Sequence, residues 1–177
     1  MGRILGSGVT VTAKVFGIDR VPAVKGLGLP GHSARSMKGW GVTYATSPQG
    51  ADHTAGGVVQ DPLSSHGQHQ RSRDSQVGMA IFDSTGLCLF TYLRSNPDLI
   101  VRSLNGLYGV DWTVEDFLEM GREALRKERA FNQRAGIGPG ADRLPLWMTK
   151  EPLPPTNAVF DVSEGDLNSV FDFSVFL

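Results

Sequence analysis

Apolar residues recur at helical spacing along most of the chain. The clearest run is at 114–131, where Val114, Phe117, Leu118, Gly121, Leu125 and Phe131 fall on one face behind Thr113. A Thr placed just before such a run can accept one of the unpaired N–H groups of a first helical turn, so the pattern predicts a long helix from Thr113 to about Gln133. Glu123 and Lys127, four apart on its outer side, form a solvated pair worth ~0.3 kcal/mol. Asn96-Pro97 marks another start, an N-cap followed by a ring whose fixed φ suits the first helical position; Leu99, Ile100 and Leu104 then form the buried face, and Gly106 or Gly109 ends it. Met37, Trp40, Gly41 and Tyr44 lie at i, i+3, i+4 and i+7 of a predicted helix over 34–47 that Pro48 stops. Within it Gly39 and Gly41 leave room for another backbone or a cofactor. A further helix is expected over 76–83, interrupted at Gly86 and carried on over 89–93.

The remaining stretches are weaker. Ile4, Leu5, Val9, Ala13 and Phe16 approach helical spacing over 2–17, but Gly6, Gly8 and the β-branched residues beyond them leave that helix dependent on tertiary support. Residues 21–32, rich in Pro and Gly, read as a connector with at most a short strand at 23–25. Residues 55–74 turn to Gly, Ser, Gln and Arg and read as a solvated loop. His66 and His69 stand three apart there, but the Gly and Ser argue against a helix and no third ligand is near, so they do not make a metal site. After Ala135 a Gly- and Pro-rich segment is expected to wrap over the helices to Pro155, anchored by Leu146 and Trp147. A short helix over 163–173 precedes the apolar Val175-Phe176-Leu177, which would leave an uncovered apolar surface. The pattern as a whole predicts a mainly α fold, an irregular multihelical bundle divisible into two subdomains with a boundary near residues 55–75.

Bulk properties narrow the function. A chain of 177 residues can bury roughly 70 % of its unfolded surface. A net charge of −1 and a pI near 6.4 give no electrostatic reason to expect nucleic acid or an anionic membrane as partner. No apolar run approaches the ~20 residues of a membrane span and the first residues lack a signal-peptide layout, so with one cysteine the expected compartment is the cytoplasm.

That cysteine lies in Asp83-Ser84-Thr85-Gly86-Leu87-Cys88. Taken alone, a lone Cys among apolar neighbours reads as a buried small hydrophobe. Together with the carboxylate five residues earlier and Gly86, it could instead be aimed at a ligand. A His beside a carboxylate, as in Asp52-His53, can be tuned for proton transfer, or can be a hydrogen-bonded structural group.

The segment Asp-x-x-Gly-Leu-Cys resembles the pterin-binding signature of the aldehyde:ferredoxin oxidoreductase family. Upstream, Tyr44-Ala45-Thr46-Ser47-Pro48-Gln49-Gly50-Ala51-Asp52-His53 resembles the family's Tyr-Ala-Thr-Ser-x-Arg-Gly-Ala-Asp-His segment, with Gln49 in place of the usual Arg. Downstream, Glu128-Arg129-Ala130-Phe131-Asn132 resembles the family's Arg-x-Phe-Asn segment, and Asp142-Arg143-Leu144-Pro145 and Glu151-Pro152-Leu153-Pro154 resemble further family stretches, so the likeness covers nearly the whole chain. It implies the helical C-terminal domains of the family, without the N-terminal pterin-binding domain. It also implies an enzyme interconverting aldehydes and carboxylic acids at a tungsten or molybdenum bis-pterin, with a 4Fe-4S cluster and ferredoxin as electron partner. Asp83, with Gly86 and Leu87 beside it, would bind the pterin. Cys88 would be the last of four cluster ligands, and His53 would serve as proton donor or substrate-binding group.

A 4Fe-4S cluster generally takes four protein ligands and this chain has one thiol. The expectation is therefore a fragment, or one half of a split enzyme with a missing N-terminal half or second chain as partner; a homo-oligomer is compatible with either. Two other readings stay open. One is a catalytically silent helical interaction module, a relic of such an enzyme; the other is a benzoyl-CoA reductase subunit of the same superfamily.

Overall fold

The computed structural model describes residues 1–91 and 96–173. In chain order the elements are α1 (Gly2–Gly6), α2 (Val9–Phe16), β1 (Ala23–Val24), β2 (Leu27–Gly28), α3 (Lys38–Thr46), α4 (Gln68–Ser84), α5 (Pro97–Tyr108), α6 (Val114–Arg134), α7 (Trp147–Lys150) and α8 (Glu164–Ser169). The fold is the mainly α, irregular bundle predicted. Its starts are where the capping residues put them. Thr113 Oγ1 accepts the Asp116 N–H at 3.2 Å while the Asp116 carboxylate accepts the Thr113 N–H at 2.8 Å, closing both ends of a capping box. The Asn96 side chain accepts from Leu99 N and Pro97 opens α5, which ends on Gly109 in the left-handed region.

Several expectations change. The N-terminal stretch forms two short helices separated at Ser7 and Gly8, of which only Ala13 is buried. The connector carries an antiparallel pair, Ala23 opposite Gly28 and Val24 opposite Leu27, joined by Lys25 and Gly26, both at positive φ. Residues 68–74 are not a solvated loop; α4 begins eight residues before the predicted start. Gln68, Ser72, Arg73, Ser75 and Gln76 are buried on it, so the polar run is an internal face rather than a wet one. The Gln68 side chain donates to Gln60 O at 3.1 Å and Asp61 O at 2.9 Å, bonding the preceding loop to the helix. Leu99 and Phe131 stand exposed, with Val101 taking the inner place on α5. Of the expected C-terminal anchors, Trp147 packs on the core beneath the guanidinium groups of Arg20 and Arg35, whereas Leu146 is exposed. Residues 89–91 form a 3-10 turn; the rest of the helix expected over 89–93 and the apolar end at 175–177 lie outside the described residues.

Helix α4 is the centre of the bundle, packed on α3 on one side and α6 on the other. One core gathers Val42, Tyr44 and Ala45 of α3 with Leu144, Met148, Phe160 and Val170. A second gathers Val77, Ile81 and Phe82 of α4 with Ile100, Phe117 and Leu125, and Phe171 packs against both. The glycines of α3 admit side chains and not a backbone or cofactor: a Cβ at Gly39 would fall 2.5 Å from Gln68 Oε1, and one at Gly41 would fall 2.6 Å from the Phe160 ring. Among the described residues no helix is long and apolar enough to cross a membrane.

The loop after α3 is tied to distant parts of the chain. Buried Lys25 donates to Ala45 O at 3.0 Å and Ser47 O at 2.8 Å and pairs with Asp142 at 2.6 Å. Arg129 meets the other oxygen of Asp142 at 2.9 Å, and Asn132 donates to Pro48 O at 2.8 Å. Residues 47–53 are therefore presented to α4 and α6 in one arrangement.

Candidate functional site

Asp83 occupies the last turn of α4. Thr85 closes that turn by donating its N–H to Ile81 O and Phe82 O, and Gly86, at φ +69°, turns the chain away as its position in the motif predicts. Leu87 then packs against the second core and Cys88 emerges exposed. This overturns the reading of Cys88 as a buried hydrophobe: the side chain that goes inward is Leu87, one residue earlier. The Cys88 carbonyl accepts from Thr91 N at 2.9 Å and Thr91 Oγ1 at 2.8 Å, which fixes the backbone behind the thiol.

Asp83 faces a cavity of about 220 Å³ between the post-α3 loop, α4 and α6, lined by Gln49, Asp52, Gln76, Asp83 and Glu128 over Met79 and Leu125. Three carboxylates thus converge from three elements. Partial desolvation first, and then the charge of Asp52, raises the proton affinity of Asp83; desolvation and then Asp83 do the same to Glu128. The buried Tyr44 phenol is pushed up to about 12 by burial and by Asp52. Gln49 stands at the exposed rim, so a neutral amide holds the sequence position of the family's usual Arg.

Gln76 is oriented by its neighbours. Thr46 Oγ1 donates to Val42 O at 2.8 Å, and Thr43 Oγ1 donates to Gly39 O at 3.3 Å, so the 2.7 Å contact between Ser72 and Thr43 takes its proton from Ser72. Both hydroxyls that meet Gln76 Nε2, Thr46 at 3.0 Å and Ser72 at 3.1 Å, have their protons committed elsewhere and can only accept there. Nε2 is therefore the donor end, and Oε1 is left buried with no hydrogen-bond partner.

His53 is exposed and does not line this cavity. Its ring stacks on His32 (centroids 5.0 Å, planes 5° apart) and on Trp40 (5.1 Å, 9°), and His32 stacks on Trp40 at 5.2 Å. His53 is not paired with Asp52, whose carboxylate accepts the Thr54 N–H at 2.8 Å and the Thr54 hydroxyl at 2.9 Å. The structure brings Asp52 to Asp83 and leaves His53 in a separate ring cluster. Sequence reasoning missed Glu128, Gln76 and His32. Glu128 stands in the Glu128-Arg129-Ala130-Phe131-Asn132 segment with no role attached to it, and Gln76 is the first residue of the helix expected over 76–83, where nothing local marks its side chain as internal. His66 and His69 line another cavity with Asp161 and Asp166, His69 lying 3.3 Å from Asp166. Among the described residues, no group of three or more His, Cys, Asp or Glu is placed to hold a metal ion.

Comparison with known proteins agrees with the motifs. The profile of the family described as aldehyde ferredoxin oxidoreductase, domains 2 and 3, matches residues 1–171. A tungsten-containing aldehyde ferredoxin oxidoreductase of Pyrococcus furiosus is 34 % identical over 143 residues, covering 74 % of this chain and 24 % of that protein. Those of Thermococcus kodakarensis and Pyrococcus horikoshii are 33 % identical over 145 residues and 31 % over 167, covering 75 % and 86 % of this chain and 24 % and 27 % of theirs. The chain thus spans about a quarter of the length of these relatives. Motifs and helical fold agree with a profile that spans residues 1–171, and the chain belongs to the aldehyde ferredoxin oxidoreductase family, in the part described as domains 2 and 3.

Proposed function

We propose that this chain forms part of the cofactor site of a tungsten (or molybdenum) pterin oxidoreductase that interconverts aldehydes and carboxylic acids with ferredoxin as electron partner. The observation that carries the reading is the turn at 83–88, which points Asp83 into an acceptor-lined cavity and leaves Cys88 open five residues later. Both positions fit the groups that the family implies. A carboxylate beside an unpartnered carboxamide oxygen suits a ring edge rich in N–H donors, and an exposed thiol suits one corner of an iron-sulfur cluster. When bound, the metal pterin and cluster supply the redox chemistry. The protein groups here bind and orient: Asp83 holds a pterin, Gly86 and Leu87 shape the turn, and Cys88 ligates iron as thiolate. The exposed imidazole of His53 holds or gives a proton near substrate.

Three cluster ligands must come from other cysteines, on a longer chain or on a second one. The two cores support a two-part organisation with its sequence boundary near residues 55–75, the first part being completed by residues 144–170. We place the protein in the cytoplasm. A second reading, a catalytically silent helical module, draws on Gln49, which leaves the carboxylates without the family's usual cation.

Anaerobic purification from the native host, with W, Mo and Fe measured alongside the masses of every polypeptide present, separates the two. The expected result is W or Mo with iron on an assembly that includes further cysteines, the iron being lost in Cys88→Ala. A metal-free 19.1 kDa chain purified alone would overturn the proposal in favour of the silent module.

A further inference from the structure

The cavity beside Asp83 contains more acceptors than the motif accounts for. Asp83 leaves α4 at its last turn, Glu128 comes from α6, and between them lies Gln76, 1 % exposed, whose Oε1 has no partner and whose Nε2 is held on the opposite side by Thr46 and Ser72. Asp52, the third carboxylate, already accepts two hydrogen bonds from Thr54. Among the described residues no cationic side chain lines this space. At about 220 Å³ it is smaller than the ~300 Å³ at the low end of ligand pockets, so it takes one ring or ring edge and not a whole cofactor. A buried carbonyl oxygen and two carboxylates with no donors among them are complementary to a planar edge that carries several N–H groups and few acceptors.

Building on the reading that Asp83 binds a pterin, we infer that Glu128 and the Gln76 carboxamide oxygen are further positioning groups of the same subsite, the three together taking the amino-pyrimidine edge. Glu128 also lines the adjoining cavity of about 370 Å³, where exposed Phe131 offers a ring face and Lys127 a positive charge to the rest of a bound heterocycle. Desolvation, and then the charge of Asp52 on Asp83 and of Asp83 on Glu128, raises both proton affinities, and N–H donors arriving between the carboxylates offset both causes.

Amide NMR titration of the full chain with 6,7-dimethylpterin, and with 6,7-dimethyllumazine in which the 2-amino donor is replaced by a carbonyl, tests this without any metal. Dimethylpterin is expected to shift the amides around residues 49–52, 76, 83 and 128, and the lumazine to bind at least about tenfold more weakly. Glu128→Gln, an exposed and isosteric change, is expected to weaken pterin binding about tenfold while leaving lumazine binding unchanged. If Asp83→Asn abolishes pterin binding but Glu128→Gln does not alter it, the inference about Glu128 is overturned and the assignment of Asp83 stands. Equal binding of the two heterocycles overturns the acceptor role assigned to Asp83, Gln76 and Glu128 together. Absence of pterin-induced shifts at residue 83, or their persistence unchanged in Asp83→Asn, overturns both.

Discussion

Glutamine at position 49 decides the electrostatics of the candidate site. An Arg there would stand against Asp52, Asp83 and Glu128; the neutral amide leaves three negative groups facing one another across the cavity. Both Asp83 and Glu128 hold their protons more tightly in the fold than free carboxyls do. In the interval between the ordinary carboxylate value and the raised ones the native state binds more protons than the unfolded state, so stability falls as pH rises through that interval. Asp83→Asn should then raise Tm at pH 7 by about 1–3 °C and by nothing at a pH low enough to protonate the cluster. Calorimetry at the two pH values checks it, and an equal gain at both would contradict the electrostatic origin. A group with the binding role proposed for Asp83 is expected to destabilise its own fold, because a ligand absent during folding would supply the complementary donors.

The elements divide by how their signals act. Helices α5 and α6 were legible because their starts are chemical events within three residues, Asn96 with Pro97 and Thr113 with Asp116, and because their apolar faces repeat cleanly. The first half of α4 was not. Its buried side is built from Gln68, Ser72, Ser75 and Gln76, which find partners on α3 and on the 57–61 loop, and no local pattern announces a polar interior whose partners lie elsewhere in the chain. The same cause hid half of the site. Asp83 and Cys88 could be read from one short segment, whereas Glu128 and Gln76 join them only through the packing of α6 on α4. That packing depends on Gly121: a Cβ there would lie 2.5 Å from Ile81 Cγ1 and 2.8 Å from Val77 O. Gly121→Ala should destabilise by about 1–3 kcal/mol and shift the amides that line the cavity. Urea unfolding and an amide spectrum measure both, and a variant as stable as the parent with an unchanged spectrum would mean that the two helices can separate freely.

Across the whole molecule, the first core joins residues from near the start of the chain to residues near 170, so its integrity rests on long-range ties. The strongest is ionic. Lys25 and Asp142 are both buried, and although burial opposes the charge on Lys25 and lowers its proton affinity, the pair is completed by Arg129 and by two carbonyls of the α3 end. Removing Lys25 leaves a buried carboxylate half-compensated, takes the lysine donor from the Ala45 carbonyl and leaves the Ser47 carbonyl with the Gly50 N–H alone. Lys25→Met should cost about 3 kcal/mol by urea unfolding, at the lower end for a broken buried pair because Arg129 remains. A loss below about 0.5 kcal/mol would show that the tie is dispensable. The motif at 83–88 lies in the other core, so its turn should survive this change better than the loop at 47–53.

The stack of Trp40 with His32 and His53 also makes the chain its own indicator. An indole in van der Waals contact with imidazole is quenched when that imidazole gains a proton, because the cation accepts an electron from the excited ring. The Trp40 share of the emission, isolated by difference from Trp40→Phe among the three tryptophans, should therefore dim on acidification. His32→Gln and His53→Gln variants then separate the two rings' shares of that change in solution, without an added dye.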